Sequence, residues 1–204
     1  ESEKGLLGVV VDPAFRDTGR LFLYLSVADG AGGTDEDRNR VVSVKVGADG
    51  RIDPASERVI VRGLRGPRNH DGGALAIGPD GMLYVGVGDT GCNSGRAPEP
   101  PYDPTNHFAT CLTNGNGKIL RVSLDGAIPE DNPLAKVPAA TACGGTCREA
   151  VSGRRLAAPR RDVWAWGFRN PWRIAFDPVT GLLWVGDVGE VTWEELTIAA
   201  KGRH

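Results

Sequence analysis

No apolar run in the 204 residues approaches the roughly 20 needed to cross a bilayer as a helix, so a helical membrane span is excluded. No basic stripe is present either. With 24 Lys and Arg against 26 Asp and Glu, the formal net charge is −2, and nucleic acid is a poor partner for such a chain. Glycine is frequent, at 29 residues, but follows no tripeptide period, which excludes a collagen-like chain. No long segment carries the 3.6-residue apolar period of a helix, which points away from an α-helical domain. Cysteine spacing lacks C-x-x-C, which weighs against zinc; His107 is the one histidine near the cysteines in sequence.

What is present fits a packed all-β domain. Hydrophobic residues make up 40% and charged residues 25%, enough to build a core. Glycines and 14 prolines suit many short strands joined by tight turns. The four cysteines, Cys92, Cys111, Cys143 and Cys147, lie in loop-like sequence. Of the three possible pairings, the most local predicts disulfides Cys92–Cys111 and Cys143–Cys147, as in an exported protein.

One pattern recurs. Residues 8–27 read GVVVDPAFRDTGRLFLYLSV, residues 73–89 read GALAIGPDGMLYVGVGD, and residues 173–187 read RIAFDPVTGLLWVGD. Each is a short apolar strand, a turn built on Asp-Pro or Gly-Pro with a glycine, and a second apolar strand. Proline presets φ for a turn and glycine accepts φ > 0, so each copy predicts a hairpin. Further strands are predicted at 41–46, 57–62 and 118–124. A β-sandwich is the bland alternative, but repeats at irregular spacing with long insertions favour a propeller, whose blades have about four strands. Two blades and part of a third are then present. Because a propeller closes into a ring of about four blades or more, the chain is expected to be part of a longer one, truncated at both ends. Loops 90–116 and 128–161 are long enough to expect function in them. The five tryptophans, Trp164, Trp166, Trp172, Trp184 and Trp193, read as packing between blades.

Four segments together resemble the soluble quinoprotein glucose/sorbosone dehydrogenases. They are GLLGVVVDPAF (5–15), NHDGGALAIGPDGMLYVGVGDTG (69–91), GKILRVSLDGAIPEDNP (117–133) and GFRNPWRIAFDPVTGLLWVGDVGEVTWEEL (167–196), in the family's order. The resemblance implies an all-β fold, a six-bladed β-propeller of which this chain holds about two and a half blades of four-stranded antiparallel sheets. It also implies pyrroloquinoline quinone (PQQ) and calcium (Ca2+) as cofactors, an aldose sugar oxidised to its lactone, an external electron acceptor, and a periplasmic or secreted location. Several of these segments also occur in hedgehog-interacting-type propellers, which bind partners, so a non-catalytic binding module is the alternative. A propeller hydrolase using a metal-bound water is a third class.

Sugar oxidation needs a base, a clamp on the quinone oxygens and a dry pocket. His70, in Asn69-His70-Asp71-Gly72-Gly73, is the candidate base, since an imidazole suits proton abstraction at neutral pH. Asp89 ends the paired strand of the same hairpin and can orient that imidazole; capping of the strand end is the other reading. Arg169 and Asn170 precede the third hairpin as His70 precedes the second, and match the family's cofactor-contacting pair. An arginine there can stabilise charge on the quinone oxygen, or staple two blades. Gly189 and Glu190 stand where the family's sugar oxidases place a Gly-Pro pair whose carbonyls bind calcium; here the proline is replaced by glutamate. Glu3 stands where active members often carry a glutamine near the quinone.

Overall fold

The computed structural model describes residues 3–27, 38–66, 69–91, 107–141 and 156–203. Its strands are β1 (Leu6–Val11), β2 (Arg20–Ser26), β3 (Asn39–Val46), β4 (Ile52–Leu64), β5 (Leu75–Ile77), β6 (Leu83–Val87), β7 (Lys118–Val122), β8 (Ala140–Thr141), β9 (Leu156–Ala157), β10 (Val163–Trp166), β11 (Pro171–Phe176), β12 (Leu183–Asp187) and β13 (Glu195–Ala199). Two single-turn helices, α1 (Phe15–Thr18) and α2 (His107–Thr110), are the only helices among the described residues.

The strands form antiparallel sheets in the orders β1-β2-β3-β4, β10-β7-β6-β5 and β11-β12-β13, with a small β8-β9 pair apart from them. All three predicted hairpins are present as β1-β2, β5-β6 and β11-β12. The first differs in its connection. Instead of a tight turn at Asp12-Pro13, the chain makes α1 and leaves it through Gly19 in the left-handed region. The outer strand of the central sheet, β10, was not foreseen. It pairs with β7 across the insertion that runs from residue 123 to residue 162.

Period-two alternation sends the side chains of the central sheet to two cores. Leu83, Val85, Leu120 and Val122 pack with Phe22, Tyr24 and Val41 of the first sheet. Tyr84 and Ile119 pack with Leu183 and Val185 of the third sheet. Tyr84 also meets Trp164 and Phe176 edge-on. Burying each of these large side chains contributes about 1.5–3 kcal/mol, so the sheets are held face to face mainly by apolar packing. Charged pins add to it. Arg20 on β2 reaches the carbonyl of Leu124 and the carboxylate of Asp125 beyond β7. Arg160 reaches the carbonyls of Arg62 and Gly63 on β4.

The first strands of the three sheets touch in series, β1 against β5 and β5 against β11. Gly8 on β1 lies so close to Gly73 that a Cβ would sit 1.9 Å from the Gly73 carbonyl oxygen, so only glycine fits there. This is a propeller arrangement of two four-stranded blades and three strands of another. Of the predicted disulfides, Cys92–Cys111 has one end outside the described residues, and Cys143–Cys147 lies wholly outside them.

Candidate functional site

The start of β5 is antiparallel to the end of β6, and the start of β11 to the end of β12. The segments that precede the inner strands therefore gather at one end, beside the segments that follow the second strands. His70, Asp71 and Gly72 come from the first kind of segment in the central sheet, and Asp89 from the second. Arg169 and Asn170, with Asp187 and Gly189, are their counterparts in the third.

His70 is 5% exposed and Asp89 fully buried. Asp89 Oδ1 lies 2.7 Å from His70 Nδ1 and also accepts the Gly91 N–H at 2.8 Å. An ionised carboxylate at that distance calls for a proton on Nδ1, which leaves Nε2 as the free basic nitrogen. Asp89 Oδ2 is buried and has no hydrogen-bond partner among the described residues. His70 and Thr90 both have positive φ, 56° and 76°. Such a conformation costs a non-glycine residue on the order of 1 kcal/mol or more, and strain of this kind gathers at functional sites. Gly88 lies against the His70 backbone, where a Cβ would meet the His70 carbonyl oxygen at 1.9 Å.

The two halves of the site are hydrogen-bonded to each other. Asn170 Oδ1 accepts the Gly72 N–H at 3.0 Å, and the Asp89 N–H donates to the Arg169 carbonyl at 2.8 Å. Asp187 holds the Arg169–Asn170 turn by accepting both of its N–H groups, at 2.9 and 2.6 Å. Burial pushes the Asp187 carboxyl upward, and those two N–H groups oppose the shift. The half-buried Arg169 donates through Nη1 to the carbonyls of Val188 and Gly189, each at 2.8 Å, while its Nε is buried without a partner among the described residues.

Glu3 also reaches this end of the sheets, where its Oε2 accepts the Asp71 N–H at 3.2 Å. The Asp71 carboxylate points away into the first sheet and accepts from Asn39 Nδ2 at 2.7 Å. Burial pushes its carboxyl up to about 6, against the lowering effect of Asn39. Glu190 is exposed, and the neighbouring Glu194 accepts the Gly189 N–H.

His70, Asp89, Arg169, Asn170 and Glu3 thus converge. Three contributors were missed in the sequence. Asp187 had a signal, since Gly186-Asp187 repeats the Gly88-Asp89 that ends the previous hairpin. Asp71 sat inside the His70 motif without an assigned partner. Lys118, in an apolar strand, gave no warning that it is fully buried.

A quinone fits this donor set. The site holds an imidazole with one free nitrogen and a guanidinium whose buried Nε–H is unsatisfied among the described residues. Calcium at Gly189 and Glu190 does not fit the arrangement. The Val188 and Gly189 carbonyls both accept from the Arg169 guanidinium, whose positive charge would repel a calcium ion there, and Glu190 is exposed. Among the described residues no group of three or more His, Cys, Asp or Glu can hold a metal.

The sequence profile of the Glucose / Sorbosone dehydrogenase family matches residues 1–143. Aldose sugar dehydrogenase YliI of Escherichia coli is 29% identical over 206 residues, covering 98% of this chain and 45% of that protein. Quinoprotein glucose dehydrogenase B of Acinetobacter calcoaceticus is 26% identical over 209 residues, covering 99% of this chain and 39% of that protein. A crystal structure of glucose dehydrogenase superposes with a TM-score of 0.74 at 26% identity, covering 99% of this chain and 49% of the other. The chain spans less than half the length of these relatives. With the profile covering well over half of its residues, the chain belongs to the glucose/sorbosone dehydrogenase family.

Proposed function

We propose that this chain is part of a longer propeller enzyme that oxidises an aldose sugar to its lactone, with pyrroloquinoline quinone as the resident electron acceptor. The observation that carries this reading is the buried His70–Asp89 pair, hydrogen-bonded through its backbone to the Arg169–Asn170 turn. A relative named as a quinoprotein, similar along 99% of this chain, supports the cofactor.

His70 Nε2 takes the proton of the sugar's C1 hydroxyl. Asp89, fixed on Nδ1, keeps the imidazole in the tautomer that can accept it and stabilises the cation that forms. When bound, the quinone supplies a two-electron acceptor for the hydride that leaves C1. Arg169 and Asn170 are the residues that would hold the quinone, and the guanidinium would stabilise negative charge developing on it. The activity also calls for an external electron acceptor. A periplasmic or secreted location would suit the disulfides read from the cysteine spacing.

The test is turnover by the full-length parent, supplied with the quinone and an aldose and assayed with an artificial acceptor, with and without calcium. The His70→Gln variant should lose about a hundredfold to ten-thousandfold in rate. Unchanged turnover in that variant would remove the base assignment. Glu3, whose carboxylate stands beside the site, favours the second reading, a binding propeller; a parent that never turns over would support it.

A further inference from the structure

Lys118, the first residue of β7, is fully buried. Its Nζ donates to three backbone carbonyls, of Phe108 at 2.9 Å, Ala109 at 2.8 Å and Asn116 at 2.6 Å. Three acceptors match the three N–H groups of an ammonium. A neutral amine has two donors and would set its lone pair against the third carbonyl. Burial pulls this amine well below its ordinary range, and the Asp89 charge works the other way. The complete cage of acceptors decides in favour of the cation.

The cage is bonded to the backbone that packs against His70. Lys118 is the register partner of Val87, two residues before Asp89. Asn116, whose carbonyl is one of the three, donates Nδ2 to the Gly88 carbonyl at 3.1 Å, and the Gly117 N–H donates to the same oxygen at 3.0 Å. Gly88 is the residue packed against the His70 backbone. The other cation near Lys118 is Arg160, whose guanidinium is neutralised by Asp162 at 2.9 Å. Asp187, Asp71 and Glu3 also stand around the pair, as do the cations Arg169, whose carbonyl accepts the Asp89 N–H, and Lys4 near Asp71; Lys118 is the fully buried cation among them. All three of its N–H groups are used, so it acts on Asp89 through space.

We propose that Lys118 is a positioning residue for the His70–Asp89 pair: its caged ammonium fixes the Gly88 backbone that packs against the His70 backbone and balances the charge of the buried Asp89 carboxylate. This rests on the reading of His70 as the base. The caged ammonium thus adds a positive charge near the carboxylate that faces the imidazole at 2.7 Å.

Lys118→Met in the parent should move the acidic limb of the kcat/KM profile upward by about one pH unit, since removing a buried positive charge favours every neighbouring proton. Its kcat at neutral pH should fall severalfold with little change in KM, and Lys118→Arg should bring the limb back toward its original position. A folded Lys118→Met protein with an unmoved limb would overturn the proposal. The unaltered parent gives a second readout that needs no variant to fold. Lysine-selective nitrogen-15 NMR at pH 7 should show a slowly exchanging ammonium protected from solvent, and a buried neutral amine there would overturn the proposal. Failure of the base assignment itself would show as activity in His70→Gln and would leave this ammonium signal unchanged.

Discussion

In the central sheet every residue of β6 and β7 is buried, whereas in the third sheet four of the five residues of β13 are exposed. The site divides along the same line. The sheet with a neighbour on both faces supplies the locked elements, a fully buried Asp89, a His70 held at positive φ and a caged Lys118. The sheet with one open face supplies the half-buried Arg169, whose guanidinium hangs on two carbonyls of an exposed turn. If His70 removes a proton, as proposed, the doubly packed blade gives it the fixed geometry this needs. If Arg169 clamps a cofactor, it does so from a blade with more freedom. Trp193 at 80% exposed and Leu196 at 73% mark the open face of the third sheet, and Leu6 at 66% marks that of the first. Apolar surfaces of this kind suit packing against further blades.

The largest expected effect contrasts the two halves directly. Asp89→Asn should lower kcat of the parent by about a hundredfold or more, because the imidazole loses the partner that sets its tautomer. Arg169→Lys keeps a charge and should cost about tenfold, mainly as weaker cofactor retention. Equal losses would break the distinction between a fixed base and an adjustable clamp. A second contrast uses one substitution at two places. In urea unfolding of this chain, Leu83→Ala in the central core should cost about 3 kcal/mol. Leu196→Ala on the open face should cost under about 0.5 kcal/mol. A comparable cost at Leu196 would mean that this face is already covered.

Asp71 sharpens the picture of the buried carboxylates. Its carboxyl is pushed up to about 6 from an ordinary 3.8, so the folded state holds the proton more tightly than the unfolded chain. The stability it contributes is fully present below about pH 4 and is lost as pH rises to about 6, by roughly 2–3 kcal/mol. Asp71→Asn should flatten the stability profile across that window; an unchanged profile would show that Asp71 ionises freely in the fold. The smallest effect concerns the pin between the first two sheets. Arg20 bonds the buried Asp12 at 2.6 Å and the exposed Asp125 at 2.7 Å. Asp125→Ala should cost under about 1 kcal/mol, and Asp12→Ala more, because Asp12 also accepts the Ala14 N–H.

The hairpins were legible because their causes are local. Gly78-Pro79-Asp80-Gly81 sets its own turn, with Gly81 at positive φ and Asp80 accepting from the Tyr84 hydroxyl. Strand β10 was not legible, because its partner β7 lies beyond an insertion whose length no local pattern encodes. Within the site, His70, Asp89 and Asn170 could be named from their motifs. The hydrogen bond that joins the halves, Asn170 to Gly72, spans 98 residues and exists only once the sheets pack. Lys118 was invisible for the same reason, since its meaning comes from carbonyls of α2 and of the segment before β7. The calcium position was read from a dipeptide, and in the fold the Gly189 carbonyl accepts from Arg169.

The central claim is that this end of the blades is built to hold a flat, anionic electron carrier against an imidazole and a guanidinium. The direct measurement is a spectroscopic titration of the metal-free parent with pyrroloquinoline quinone. A saturable one-to-one change that weakens in Arg169→Ala is the predicted result, and a change that never saturates, or that Arg169→Ala leaves untouched, would contradict it.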